Sequence, residues 1–410
     1  MGRLAGQFPA LRHGRFRVYL TGHFTSQLGS WMQTVAQSWM MYRLTNSELL
    51  LGLTFFCTHI PMLVLNPVGG WVIDHVPRRR LLVACQILNL LQALVLLGLT
   101  VSGRITAMQV LWLALALGVV QAFENPGRQA LIVEVVGKAD LISAIGLHSA
   151  AFNTARIVGP SLAGLVVAAY GEAVCFGLNA VSFLAMLVGL AVIRPVPGHA
   201  SGRDGGVLDG YRYVWREPHL RLVFGLSGVM NLCYAPILAL GPFFADGIFQ
   251  KGSAGLGFLT GSMGCGALLG VLLLARQKSV ATLPGLMAQS TILMGVGLMT
   301  YAWSPSYWLS LVTMFVIGYS IVRQNAGGNS LVQMVVHEKV RGRVMAIYVT
   351  ALSGFLPFGT LGAGALARLV GPRPVVCLAA VICLAAAISY QRVLPRFQDW
   401  VKQQEEPCAV

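Results

Sequence analysis

Long apolar stretches follow one another along almost the whole chain, and short polar turns separate them. Most stretches reach the length of about 20 residues that an α-helix needs to cross a bilayer. Because lipid offers the backbone no hydrogen-bonding partner, each stretch is predicted to be helical. The pattern predicts twelve spans, at residues 16–42, 48–75, 80–102, 107–134, 141–170, 172–193, 219–247, 253–275, 283–303, 306–335, 343–370 and 374–393.

One long polar stretch interrupts this pattern at residues 194–218, and its glycines and prolines disfavour a regular element. It predicts two halves, residues 1–193 and 219–410, joined by a cytoplasmic linker. The linker's second part, Asp209 to Glu217, suits either a solvated connector or a short interfacial helix. In the helical alternative three aromatic side chains face the lipid headgroups: Tyr211, Tyr213 and Trp215.

The two halves repeat each other at a constant, ungapped offset of 200 residues. The matched pairs are Gly52 and Gly252, Gly70 and Gly270, Gly118 and Gly318, Asn125 and Asn325, Gly127 and Gly327, Gly159 and Gly359, Gly164 and Gly364, and Gly171 and Gly371. We therefore predict an all-α membrane protein with twelve transmembrane helices in two pseudo-symmetric six-helix bundles. A parallel repeat of this kind places a substrate site between the halves near the bilayer midplane, with alternating access.

Composition and charge agree with a membrane protein. The chain is 56% hydrophobic and 10% charged, yet its net charge is +15. On the predicted topology, cytoplasmic segments hold 21 of the 29 lysines and arginines and outer loops hold five. This positive-inside bias explains the charge without nucleic acid, and predicts a multi-pass cell (inner) membrane protein with both termini cytoplasmic. The eight cysteines lack metal-ligand spacing, so we expect no metal and no cofactor.

Glu124 is the one acid of fourteen that the topology places deep inside a span. A charge there is costly, so we expect Glu124 to be protonated or paired with Arg128 or Arg156. These residues are candidates for proton coupling, and a purely structural ion pair is the alternative. His23 and His59 are alternative proton carriers, because histidine titrates near neutral pH.

Polar residues recur at helical spacing in several spans, which predicts faces that avoid lipid. Either they line a substrate cavity or they only bond helix to helix. The cavity candidates are Gln27, Ser30, Thr34 and Gln37 in span one, Gln121 in span four, Asn153 in span five, Asn231 and Tyr234 in span seven, and Arg323, Gln324 and Asn325 in span ten. Arg323 suits an anionic substrate such as a catecholate or carboxylate siderophore, or else it neutralises Glu124 across the half interface.

The turn after span two has the pattern GxxxDxxxRR, formed by Gly70, Asp74, Arg78 and Arg79. Together with two six-span halves, it resembles the major facilitator superfamily. The segments FRVYLTGHFTSQLGSWMQTVAQSWMMYRLTNSELLLG, ENPGRQALIVEVV and NTARIVGPSLAG resemble the branch of enterobactin exporters and macrolide and multidrug efflux proteins.

The resemblance implies that Gly70, Asp74, Arg78 and Arg79 form a cytoplasmic gate, with Asp74 against the start of helix eleven. The alternative is that Asp74 only caps the end of helix two. It also implies that the Gly159-Pro160 element belongs to antiporters, which favours export. We expect Gly159, Pro160 and Gly359 to provide close packing and bending. The second half departs from the pattern, since Leu274 replaces the gate acid and Thr360 replaces the proline.

The sequence thus predicts a secondary active transporter that exports an amphipathic, drug- or siderophore-like molecule, by proton antiport, as a monomer. A lipid-handling facilitator such as a lysophospholipid flippase is the alternative within this fold. A membrane-embedded receptor or enzyme is the alternative from another class. We predict that the protein is not an enzyme, because the chain has no Walker loop, HExxH motif or Ser-His-Asp grouping.

Overall fold

The structure is a computed structural model that describes residues 9–137, 140–193, 207–277, 279–336 and 338–405. Every regular element in these ranges is helical. Ten of the described helices are long and apolar enough to cross a membrane. The long helices outside that group, Gly14–Thr45 and Tyr307–Val335, carry several of the predicted polar positions, including Gln27 and Arg323.

The first half of the chain contains α1 (Gly14–Thr45), α2 (Glu48–His75), α3 (Arg78–Val101), α4 (Ala107–Val136), α5 (Leu141–Tyr170) and α6 (Glu172–Val192). After a short helix, α7 (Val207–Arg216), the second half contains α8 (Pro218–Pro242), α9 (Gly252–Leu274), α10 (Leu283–Trp303), α11 (Tyr307–Val335), α12 (Glu338–Val370) and α13 (Pro372–Glu405). Each predicted span coincides with one long helix.

The last helix extends twelve residues beyond its predicted end at residue 393, to Glu405. Hydropathy falls there, but two apolar side chains of this extension, Phe397 and Val401, are buried in the core. The ring of Trp400 also stacks on His219 of α8, with 4.5 Å between ring centroids. Packing inside the protein therefore maintains a helix that a membrane-length criterion does not predict.

The second part of the linker is helical, as one of the two alternatives predicted, because α7 forms there. Trp215 is 75% exposed, as the prediction requires. Tyr213 is half-buried and packs against the hydrophobic core around buried Val214, so its headgroup position stays a prediction. Tyr211 and residues 194–206 lie outside the described side chains.

The chain forms two compact units. The first comprises Met1–Leu50, Cys57–Gly202 and Gln250–Gly261; the second comprises Leu51–Phe56, Arg203–Phe249 and Ser262–Val410. In the first unit α1 packs on α5 and α6, and α3 packs on α4 and α6. In the second unit α8 packs on α12 and α13, and α10 packs on α11 and α13. The same four pairings recur, as an internal duplication requires.

Two glycines 200 residues apart mark equivalent helix crossings. A Cβ on Gly159 of α5 would lie 2.7 Å from the Trp31 Cβ of α1. A Cβ on Gly359 of α12 would lie 2.6 Å from the Ala235 Cβ of α8. Small residues at such crossings let membrane helices approach closely, which agrees with the packing role expected for both glycines.

Replacing Gly159 with alanine is expected to lower the free energy of unfolding by about 1–3 kcal/mol, because the added methyl overpacks the α1–α5 crossing. The control is Gly98→Ala on α3, where a Cβ meets nothing within 4 Å. Thermal unfolding in detergent, followed by tryptophan fluorescence, compares the two. Equal transition temperatures would contradict the packing role of Gly159.

Candidate functional site

Glu124 lies on α4 inside the first unit and is 3% exposed. Its Oε1 accepts a hydrogen bond of 2.8 Å from Gln86 Nε2, and its Oε2 accepts one of 2.8 Å from Asn89 Nδ2. The guanidinium of Arg128, one turn along α4, pairs with the same carboxylate. The structure thus brings Glu124 together with Arg128, and not with Arg156, and the carboxylate accepts from all three side chains.

The sequence prediction did not include the two amide partners of Glu124, Gln86 and Asn89. Gln86 and Asn89 lie three residues apart on α3, and Gln92 continues the same stripe, so helical spacing was the available signal. Their carbonyl oxygens are buried and have no hydrogen-bonding partner. A carboxamide rotated by a half turn presents its oxygen where its nitrogen was. Both amides are therefore able to donate to an ionised Glu124, and either one is able to accept the single O–H of a protonated Glu124.

A stack of aromatic rings lies in the same unit. The rings of His23 on α1 and His148 on α5 are 4.0 Å apart between centroids and nearly parallel, at 10°. Tyr19 stacks beside His23. The Nε2 atoms of both histidines are buried without a hydrogen-bonding partner. The two rings thus form a buried stack that joins α1 and α5.

His148 was missed in the sequence because nothing in its spacing connects it to His23, 125 residues earlier. His59, the other predicted proton carrier, is half-buried on α2. Among the described residues no three histidine, cysteine or acidic side chains are grouped closely enough to hold a metal ion.

A separate network of buried amides includes Gln33 of α1. Asn179 Nδ2 donates to Gln33 Oε1 at 2.7 Å, and Gln33 Nε2 donates to Gln92 Oε1 at 2.9 Å. Gln92 Nε2 donates in turn to the Leu113 carbonyl at 3.3 Å. The network ties α6, α1, α3 and α4 together and leaves few of its polar atoms for a ligand.

The predicted cavity residues of the first unit differ in their surroundings. Ser30 and Thr34 donate to carbonyls one turn earlier on α1, Asn153 does so on α5, and Gln37 Nε2 donates to the Val110 carbonyl at 3.5 Å. Gln27 is buried, Gln121 is half-buried and Thr34 is exposed. Local backbone bonds therefore satisfy the hydroxyls, while the side chains of Gln27 and Gln121 make no hydrogen bond within the described residues.

In the second unit the predicted polar residues of α8 and α11 meet directly. Asn231 Nδ2 donates to Asn325 Oδ1 at 3.1 Å and to the Ser227 carbonyl at 2.8 Å. Tyr348 of α12 joins them by donating to the Asn325 carbonyl at 3.2 Å. The hydroxyl of Tyr234 lies 3.3 Å from the Met263 sulfur.

The residue that matches Glu124 in the repeat is Gln324. It is fully buried, and neither its amide nitrogen nor its oxygen has a described partner. The residue that matches Arg128 is Gly328. The second unit is therefore built without a charge pair at the place where the first unit has one.

The two arginines of the predicted gate make contacts inside the first unit. Arg78 Nη1 lies 2.5 Å from Glu134 Oε1 at the end of α4. Arg79 donates to the carbonyls of Leu190 at 2.8 Å and Ala191 at 3.3 Å, which caps the C-terminus of α6. Gly70 and Asp74 belong to α2, but their surroundings lie outside the described side chains.

Comparisons with known proteins agree on the class. The chain matches the family of transmembrane secretion effectors over residues 5–408. It is 25% identical to the multidrug efflux pump Tap of Mycolicibacterium fortuitum, over 88% of this chain and 91% of that protein. It is 23% identical to the staphyloferrin A transporter of Staphylococcus aureus, over 84% of this chain and 87% of that protein.

Solved transporter structures share the fold at low sequence identity. The crystal structure of the nucleoside transporter NupG superimposes with a TM-score of 0.71 at 15% identity, covering 92% of this chain and 98% of that one. A bacterial homolog of the human lysosomal transporter Spinster, inward-facing and unoccupied, gives a TM-score of 0.67 at 13% identity, covering 94% and 97%.

The family match, the relatives and the helical fold lead to one assignment, and they place the chain among transporters and not among enzymes. It is a multi-pass membrane protein. The chain belongs to the transmembrane secretion effector family, in the efflux branch of the major facilitator superfamily.

Proposed function

We propose that this protein exports an amphipathic small molecule in exchange for protons. The family and the two relatives, a multidrug efflux pump and a siderophore transporter, support export of small molecules. The single observation that carries the proton role is the environment of Glu124, a buried carboxylate whose partners suit both of its protonation states.

The proposed architecture has two pseudo-symmetric six-helix bundles, residues 1–193 and 219–410, joined by a cytoplasmic linker at 194–218. The four recurring helix pairings and the 200-residue repeat support it. The distribution of lysine and arginine supports cytoplasmic termini and, in a bacterial cell, the inner membrane. A monomer suffices for alternating access, in which one half rocks against the other.

In the proposed cycle Glu124 takes up a proton when the site is open to the outside. The neutral acid no longer holds Arg128 by charge. One of the two amides, Gln86 or Asn89, turns its carbonyl oxygen toward the single O–H of the acid, and the other goes on donating to the acid's carbonyl oxygen. When the site opens to the cytoplasm, the proton leaves and the ion pair with Arg128 forms again. The His23–His148 stack is the second candidate to hold a proton on this route.

The repeat argues against a purely structural role for the ion pair. With Gln324 and Gly328, the second unit forms the same helix pairings without it. A buried ion pair adds little net stability, because desolvation of the two charges offsets their attraction. The charges of Glu124 and Arg128 are therefore better explained by a change of protonation during transport.

The remaining sequence-derived roles stay within this proposal. Gly70, Asp74, Arg78 and Arg79 form the cytoplasmic gate. The polar residues of spans one, four, five, seven and ten line the substrate path. Pro160, beside Gly159, lets α5 bend, since proline breaks the helical hydrogen-bond ladder.

A double-mutant cycle tests whether the fold needs the ion pair. Arg128→Leu is expected to lower stability by about 3–5 kcal/mol, because it leaves the Glu124 charge buried without its counterion. Adding Glu124→Gln, as in the second unit, is expected to restore most of that loss. Unfolding in increasing concentrations of a denaturing detergent measures the stability of the single and the double variant. A double variant as unstable as Arg128→Leu alone would show that the pair is structural.

Transport by the Glu124→Gln variant in proteoliposomes tests proton coupling. The substrate panel is rhodamine 123, carboxyfluorescein and a fluorescent lysophosphatidylcholine. We expect a proton gradient to drive accumulation of at least one dye by the wild type. The variant is expected to lose that gradient dependence and to keep exchange of the same dye at equal pH, because glutamine cannot bind the proton.

The matched control is Glu172→Gln. Glu172 is also a buried carboxylate of the first unit, and it pairs with Arg43 at 2.8 Å. It should keep gradient-driven transport. Undiminished gradient-driven transport by Glu124→Gln would refute the coupling role. Movement of the lysolipid alone, without any response to the gradient, would instead support the lipid-handling alternative.

A further inference from the structure

Among the described residues, four charged side chains lie well inside the predicted membrane spans: Glu124, Arg128, Arg156 and Arg323. Glu124 and Arg128 neutralise each other within the first unit. In the part of the chain that the structure describes, neither Arg156 nor Arg323 has a carboxylate within 4.0 Å. The spans therefore carry an excess of positive charge, which is costly in a membrane unless an anion compensates it.

Arg323 is held in a defined orientation by its own helix. Its Nη1 donates to the hydroxyl of Tyr319, one turn earlier, at 2.6 Å. Its guanidinium carbon lies 5.3 Å from the centroid of the Tyr319 ring. The Nε atom is buried and has no described partner. Tyr319 thus orients the guanidinium but brings no negative charge to it, and Nε–H has no acceptor among the described residues.

The backbone that carries Tyr319 and Arg323 is held in place by a close helix crossing. A Cβ on Gly270 of α9 would lie 2.8 Å from the Tyr319 carbonyl oxygen and 3.6 Å from the Arg323 nitrogen. The α9 backbone therefore approaches α11 directly at these residues. Such packing limits how far Arg323 moves, and a preorganised donor loses less entropy when it binds a ligand.

The repeat shows that the fold does not require an arginine at this position. Phe123 matches Arg323 in the first half, and Leu356 matches Arg156 in the second. The alternative in which Arg323 neutralises Glu124 is not needed to explain how the Glu124 charge is compensated. Both carboxylate oxygens of Glu124 already accept hydrogen bonds from side chains of the first unit.

We infer that Arg323 binds an anionic group of the transported molecule, a carboxylate or a similar planar oxyanion. This inference rests on the proposed transport function and narrows its substrate to molecules with at least one acidic group. A guanidinium presents paired N–H donors that match the two oxygens of such a group. Arg156 adds to the positive potential of the spans and is the second candidate contact.

Binding to the purified full-length protein in phosphatidylcholine nanodiscs tests the inference. Carboxyfluorescein and rhodamine 123 share a xanthene ring system, but the first is an anion and the second a cation. We expect wild type to bind carboxyfluorescein more tightly, as measured by fluorescence anisotropy. Arg323→Gln is expected to weaken that binding about 10- to 100-fold, the effect of losing a charge-assisted hydrogen bond, and to leave rhodamine 123 unaffected.

Three further variants separate recognition from folding and from overall charge. Arg323→Lys keeps the positive charge but loses the paired N–H donors of the guanidinium, so this variant should bind carboxyfluorescein with intermediate affinity. Tyr319→Phe should weaken carboxyfluorescein binding several-fold, because the guanidinium of Arg323 loses the hydroxyl that orients it. Arg104→Gln makes the same change in net charge on an exposed loop and should have no effect. Thermal unfolding checks that each variant is folded.

The inference is overturned if wild type prefers rhodamine 123, binds neither dye, or binds carboxyfluorescein equally well after Arg323→Gln. It is also overturned if anionic phospholipid copurifies with wild type but not with Arg323→Gln, because a lipid phosphate is then the counterion. Binding is measured without a gradient. Wild-type transport that does not respond to a proton gradient would therefore refute the antiport proposal while leaving this binding result unaffected.

Discussion

The cost of holding an ionised carboxylate in lipid is the constraint on which the first unit depends. Glu124 is 3% exposed, and its charge is tolerated because α3 supplies two amides and α4 supplies a guanidinium. These side chains converge only if α3 and α4 pack in one register. The polar stripe of α3 therefore helps to fix the pairing of two helices and surrounds the acid with donors.

Internal duplication preserved the scaffold while the chemistry of the halves diverged. The same helix pairings and the same tight glycine crossings occur in both units. Charged residues are not preserved: Gln324 replaces Glu124, and Phe123 replaces Arg323. A helix crossing needs small residues at set positions, whereas a charged residue in a membrane span needs an opposite charge or a functional role. Residues that break the repeat are thus the ones that point to function.

Hydropathy predicted the helices well because lipid forces every apolar run to satisfy its own backbone. Glu124 was found by elimination for the same reason, since an acid in such a run is exceptional. Gln86, Asn89 and His148 were missed, because neutral polar residues in spans are common and their importance depends on which helix faces them. The end of α13 was missed because Phe397 is buried by tertiary packing, which span length does not reveal.

The two charged positions of this protein differ in where their compensation comes from. Glu124 finds its counterion and its amide donors within its own unit, so it can change protonation without any ligand. Arg323 has a phenol to orient it and no described acid to neutralise it. A charge compensated from within suits a proton site, and a charge left uncompensated suits a site for an anion from outside. The proposed function thus assigns coupling and recognition to separate residues, so that one is expected to be alterable while the other still works.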